Sequence, residues 1–289
     1  MNILKLLANL AETNPEQLEQ SAPRRAALES LGRFSAKALA AALPFGLATL
    51  PAQARTTLTI LDSLDLALQL ERLQEALYTR ALAVTGAFFP ADPTFRASIL
   101  AMQRHQQQHI VLLTDAIAAS GSTASAPANY DFTGTKNGTQ PALFADVFTD
   151  FDQFLRLAQL LEDAGVRAYK GQVEFLSTND FILQTALQLH ATEARHAARI
   201  RMMRKQRGAT VKPWPSPTDT SITVVGKTDI AYAGEDALQQ YLPDFRPVPF
   251  QLLPIGFPGS TVLTQGVPEA FDEPLTSAQA TALLALFTY

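Results

Sequence analysis

Two stretches, Leu160-Leu161-Glu162-Asp163-Ala164-Gly165-Val166-Arg167-Ala168-Tyr169-Lys170-Gly171 and Glu193-Ala194-Arg195-His196-Ala197, decide how this chain is read. Around the first, Leu155, Ala158, Val166, Tyr169 and Val173 recur at three- and four-residue spacing, so Glu162 lies on the apolar stripe of a helix. Burying an unpaired carboxylate costs roughly several kcal/mol, so an acid there requires a counterion, a hydrogen-bonded partner or a metal. In the second stretch Glu193 and His196 share a helix face with Ala186, Leu189 and Ile200. A carboxylate and an imidazole three residues apart can reach one ion.

Working toward the N-terminus, the pattern repeats. Glu71 is followed seven residues later by Tyr78, as Glu162 is by Tyr169, and Gln106-x-x-His109 stands where Glu193-x-x-His196 stands in the second half. The offsets are similar, 35 residues from Glu71 to Gln106 and 31 from Glu162 to Glu193. Glu71 shares its line with Leu64, Leu68, Tyr78 and Leu82; Gln106 and His109 share theirs with Ile99, Met102 and Leu113. Any one of these groups alone reads as an ordinary solvated side chain. Four helices that each place a polar group on an apolar stripe, in two repeating halves, point to one buried site. Tyr78 and Tyr169 are expected as core aromatics with hydroxyls bonded near that site, and His105 and His190 are expected either exposed or in contact with the ligands from outside, and not as ligands themselves.

The helical period extends over four segments, predicted at Asp62 to Ala87, Thr94 to Ala119, Pro141 to Leu176 and Phe181 to Arg207. Short links make the first pair and the last pair antiparallel neighbours. The Gly/Ser/Thr/Asn-rich stretch from Ser120 to Gln140 is long enough to cross a bundle. The expected fold is therefore all-α, a four-helix bundle with one long crossover over residues 55–207. Ten of the eighteen prolines fall between Pro213 and Pro274, which excludes long helices there. Residues 208–289 are expected to form a Pro-rich arm, with a short hairpin around Ile222 to Ile230, and a last short helix capped by Thr276. That helix carries Leu283, Leu284, Leu286 and Phe287, which need somewhere to bury.

Composition narrows the chemistry. The chain has 289 residues, 47% of them hydrophobic, enough for a substantial core. It contains no cysteine, so any metal must be held by nitrogen and oxygen. A net charge of −4 gives no electrostatic case for a nucleic acid partner. The one basic run, Arg195, Arg199, Arg201, Arg204, Lys205 and Arg207, closes a predicted helix and reads as a complement to its dipole. No cysteine nucleophile, phosphate loop or Gly-x-Ser-x-Gly elbow occurs.

Residues 1–54 stand apart. Arg24-Arg25, the uncharged thirteen residues Ala38 to Leu50 and the A-x-A pattern Ala52-Gln53-Ala54 read as an export signal of twin-arginine type, implying a periplasmic or otherwise exported protein. The apolar stretch falls short of the roughly 20 residues that span a bilayer, so no stable membrane span is expected. Glu29, Arg33 and Lys37 intervene between the arginines and the apolar stretch, so a retained amphipathic segment is the alternative.

The two opening stretches resemble the third- and fourth-helix signatures of the bacterial ferritin-like domain family that also includes plant desiccation-related proteins. Tyr130-Asp131-Phe132, Tyr232-Ala233-Gly234-Glu235-Asp236 and Ala270-Phe271-Asp272-Glu273-Pro274-Leu275 extend the similarity along the chain. The resemblance implies a ferritin-like bundle whose core takes one or two iron or manganese ions. By position the implied ligands are Glu71 and His109 on one side and Glu162, Glu193 and His196 on the other. Gln106 departs from the pattern, which places a bridging Glu there, and this weakens the first position. The implied functions are metal binding, with oxidase, peroxidase or catalase-like activity, or a non-catalytic stress-protective or structural role around a degenerate site. Metal ions are the expected partners; a homo-oligomer is left open.

Overall fold

The computed structural model describes residues 59–238 and 266–289; the export-signal reading of residues 1–54 lies outside them, as does the middle of the arm. Four long helices dominate: α1 Ile60–Ala83, α2 Pro93–Ala119, α3 Phe151–Leu176 and α4 Asp180–Gln206. Each starts where a short polar side chain can satisfy the free amides of a first turn. Thr59 and Asp62 form a reciprocal capping box on α1, and Asp92 accepts from the Thr94 amide with Pro93 in the first turn of α2. Asp150 and Asn179 cap α3 and α4. Helix α1 packs on α2 and α3 on α4, with α1 also against α3 and α2 against α4. The long connection between α2 and α3 makes this a four-helix bundle with one crossover. No helix among the described residues is long and apolar enough to cross a membrane.

The third helix begins ten residues later than its apolar spacing predicts. Residues 141–150 are successive turns, tied to the crossover by Leu143 and Phe144 amides that both donate to Thr133 O. Phe144 and Val147 are buried from those turns, and the Asp150 side chain then opens α3 by accepting from Asp152 and Gln153. The predicted hairpin around Ile222 to Ile230 is also absent. That segment is a turn held by Val224 N donating to Thr228 Oγ1, followed by a 3₁₀ turn Asp229–Tyr232. Among the described residues the only β-pairing is an isolated bridge between Tyr130 and Thr288.

Phe88, Phe151 and Phe154 pack edge-on or offset at one end of the bundle, with ring centroids 5.5–5.8 Å apart. Two short helices follow the arm, α5 Val267–Ala270 and α6 Ser277–Leu284. Thr276 and Gln279 form the capping box of α6. Its apolar face is covered by α1 and α3, and Leu283 and Phe287 are fully enclosed in the main core.

Two buried arginines join the arm to the bundle. Arg167 on α3 pairs with Glu235 at 2.9 Å and donates to the Glu273 and Ala233 carbonyls. Arg201 on α4 grips Asp163 by donating from Nε and Nη2 to its two carboxylate oxygens, at 2.9 and 2.5 Å, and reaches Asp219 from Nη1 at 2.6 Å. Arg201 and Arg204 therefore do more than complement a helix dipole, as the basic run had suggested. They turn inward because Asp163, Asp219 and Gln159 offer them partners there.

Candidate metal centre

The four helices send their polar side chains to the middle of the bundle: Glu71, Gln74 and Tyr78 from α1, Gln106 and His109 from α2, Glu162 and Tyr169 from α3, Glu193 and His196 from α4. Glu71, Gln106, Glu162 and Glu193 have no exposed surface at all. His109 Nδ1 lies 3.2 Å from Glu71 Oε2 and 3.3 Å from Glu193 Oε1. His196 Nδ1 lies 3.4 Å from that same Glu193 oxygen and 3.7 Å from Glu162 Oε2. Two groups result, Glu71–His109–Glu193 and Glu162–Glu193–His196, each with ligand atoms within 4.8 Å of one another. Glu193 belongs to both, whereas sequence position had assigned it to the second alone. Helix α4 faces α2 as well as α3, which is why one carboxylate meets both imidazoles.

The tyrosines cross between halves. Tyr169 on α3 donates to Glu71 Oε1 at 2.5 Å, and Tyr78 on α1 donates to Glu162 Oε1. Each hydroxyl thus occupies one oxygen of a glutamate and leaves the other turned toward an imidazole. Gln106 Nε2 donates to Gln74 Oε1 at 3.1 Å and to Glu193 Oε2 at 3.2 Å; Gln74 Nε2 donates to the same Glu193 oxygen at 3.1 Å. Gly165 makes room for this, since a Cβ there would lie 3.0 Å from Gln74 Nε2.

Four inward atoms have no hydrogen-bond partner: Gln106 Oε1, Glu162 Oε2, Glu193 Oε1 and His196 Nδ1. An unmade bond of this kind costs about 1–3 kcal/mol, more for a charged group. Carboxylate oxygens and an imidazole nitrogen that converge without hydrogen bonds form a set that a divalent cation satisfies, once it displaces the imidazole proton.

The charges show the same tension. Burial, reinforced by the Glu193 charge, raises the carboxyls of Glu71 and Glu162 above the usual range. Burial would also raise Glu193, but its contacts with His109 and His196 overcome this and hold it below that range. Burial opposes the charged imidazoles, yet the adjacent carboxylates lift His109 to about 9 and His196 to about 10. Both tyrosines are pushed well above 10 by burial and by the carboxylates they bond, so they remain proton donors.

Residues 59–206 match the family described as the ferritin-like domain. This chain belongs to the ferritin-like domain family. No curated protein matches it. The family match ends with α4, so it covers the four helices that carry the Glu and His groups.

The ferritin-like domain brings together all of Glu71, His109, Glu162, Glu193 and His196, with Gln106, Tyr78 and Tyr169 in contact with them. His190 is half-buried and joins neither group. His105 is exposed on α2 and has its Nδ1 3.0 Å from His196 Nε2, so it touches a candidate ligand from outside the two groups. Gln74 was missed. The repeat gives no signal for it, since the equivalent position three residues after Glu162 is Gly165.

Proposed function

We propose that this ferritin-like protein binds one or two iron or manganese ions between its four helices, with Glu71, His109, Glu162, Glu193 and His196 as the ligands. The observation that carries the reading is the set of atoms without a hydrogen-bond partner on Glu162, Glu193 and His196, buried and facing one another. Glu193 contributes to both positions. Tyr78 and Tyr169 fix the orientation of Glu162 and Glu71, and the apolar core around them keeps bulk water away. A bound iron or manganese ion supplies one-electron chemistry toward dioxygen or peroxide. Gln106 and Gln74 put two neutral amides on Glu193 Oε2, where a second bridging carboxylate would add charge. That observation favours the position of Glu162, Glu193 and His196 over its neighbour, and it also supports the alternative of a stress-protective or structural protein with a degenerate site.

Mn²⁺ titration of chelator-treated protein distinguishes these readings. Glu193→Ala is expected to abolish uptake at both positions and Glu162→Ala at one. Equal uptake by wild type and both variants would place the metal elsewhere.

The proposed location is outside the cytoplasm, on the strength of Arg24-Arg25 and Ala52-Gln53-Ala54. A folded, metal-loaded bundle is a suitable cargo for the twin-arginine route. Protein from native cells should begin near Arg55; a soluble cytoplasmic chain that begins at Met1 or Asn2 would contradict export.

A further inference from the structure

His105 and His196 lie 3.0 Å apart, Nδ1 to Nε2, with their ring planes only 5° from parallel. Parallel imidazoles can be stacked face to face or joined edge to edge, and the distances distinguish the two. The ring centroids are 5.2 Å apart, 2.2 Å more than the nitrogens, which is about the sum of two imidazole ring radii. The nitrogens therefore lie nearly on the line between the centroids, and the rings are close to coplanar. This is the geometry of an in-plane N–H···N hydrogen bond, with a lone pair of one ring facing a proton of the other.

Which nitrogen carries the proton follows from the other side of His196. Its Nδ1 faces Glu193 Oε1 and Glu162 Oε2 at 3.4 and 3.7 Å and has no hydrogen-bond partner, so it is the ring atom turned toward the carboxylates; a cation held among them would take the Nδ1 lone pair in place of a proton. A neutral imidazole that presents a lone pair at Nδ1 carries its proton at Nε2. An acceptor is then needed at Nε2, and His105 Nδ1 is in that place.

We infer that His105 is a positioning residue: it accepts the Nε2 proton of His196 and so sets the tautomer and ring orientation that present His196 Nδ1 to a metal ion. The inference rests on the metal-centre reading given above. His105 acts from the surface of α2, one turn before His109, so an exposed side chain governs the readiness of a buried ligand. Groups that orient a metal-binding histidine through its second nitrogen typically change affinity by about 10–100-fold when removed. Carboxylates and backbone carbonyls are the common acceptors in this role; here a second imidazole takes it.

The test compares wild type, His105→Phe and His105→Asn. Phe fills similar space without an acceptor, while Asn places a carbonyl oxygen near the site of Nδ1. Zn²⁺ titration should show the tightest site weakened by about 10–100-fold in His105→Phe and largely recovered in His105→Asn. In Zn²⁺-loaded protein, ¹⁵N-imidazole NMR should show the His196 proton on Nε2, slow to exchange in wild type and in the Asn variant and fast in the Phe variant. Equal affinities in wild type and His105→Phe, or a His196 proton that exchanges equally fast in both, would overturn the inference while the metal centre stands. Failure of wild type to bind Zn²⁺, Mn²⁺ or Fe²⁺ would overturn the metal centre and this role together.

Discussion

Gln106 Nε2 lies 3.2 Å from Glu193 Oε2, so an amide donates to the carboxylate that both candidate metal positions share. The other amide atom, Gln106 Oε1, is buried without a partner. Replacing Gln106 by Glu removes the donor and adds a carboxylate beside Glu71, Glu162 and Glu193. Without metal, like-charge repulsion and desolvation should lower the melting temperature of Gln106→Glu relative to wild type. With excess Fe²⁺ or Mn²⁺, stoichiometry should rise toward two ions and stability should recover, because metal binds the folded state preferentially. Melting curves of both proteins, each with chelator and with metal, make the comparison. A variant of unchanged stability and stoichiometry in both conditions would show that the added charge never reaches the shared site.

Gly171 tests how the arm sits on the bundle. A Cβ built there would lie 1.8 Å from Leu275 O, and the Leu275 amide donates to Arg167 O at 3.0 Å. Backbone cannot yield as a flexible side chain can, so Gly171→Ala must displace the segment that leads into α6. The expected loss is at least about 1–3 kcal/mol in a urea unfolding curve, with Leu283 and Phe287 loosened from the core. A midpoint equal to that of wild type would mean that the chain at Leu275 does not approach α3 here.

Much of this arrangement was legible in the sequence, and the exceptions have physical causes. Glu71, Glu162, Glu193 and His196 could be read because a charge on an apolar helical stripe has few other uses. The apolar spacing puts the second and fourth helix starts at Thr94 and Phe181, one residue after the observed Pro93 and Asp180 that follow the caps Asp92 and Asn179. The start of α3 was hidden because Phe144, Val147 and Phe151 keep a three- to four-residue spacing through turns as well as through helix. Arg201 and Arg204 looked like surface cations because Asp163, Asp219 and Gln159, which draw them inward, are brought near only by the fold. Gln74 carries no charge to mark its burial, and its role depends on the empty space left by Gly165 on a different helix.

The crossover loop should carry an acid-sensitive element. Asp131 accepts from the hydroxyls of Thr133 and Thr135, both at 2.5 Å, and from the Thr133 and Asn137 amides. Burial would raise its carboxyl, but these bonds prevail and hold it down to about 2. A carboxyl whose folded value lies below its unfolded one, near 3.9, stabilises the folded state fully above that unfolded value. The contribution is lost as pH falls through about 2. Asp131→Asn should therefore melt below wild type at pH 6, and the gap should narrow between about pH 4 and pH 2. A gap that stays constant over that range would show that the charge of Asp131 is not what the loop uses.

The account as a whole rests on a metal ion among Glu71, His109, Glu162, Glu193 and His196. Elemental analysis of untagged protein, purified without chelators from cells grown with ample iron and manganese, tests this most directly. The account predicts one to two equivalents of iron or manganese per chain, reduced to background by Glu193→Ala under the same conditions. Repeated preparations with well below about 0.2 equivalents of every transition metal, and no uptake on later titration, would contradict it, since a tight folded-state site fills by mass action.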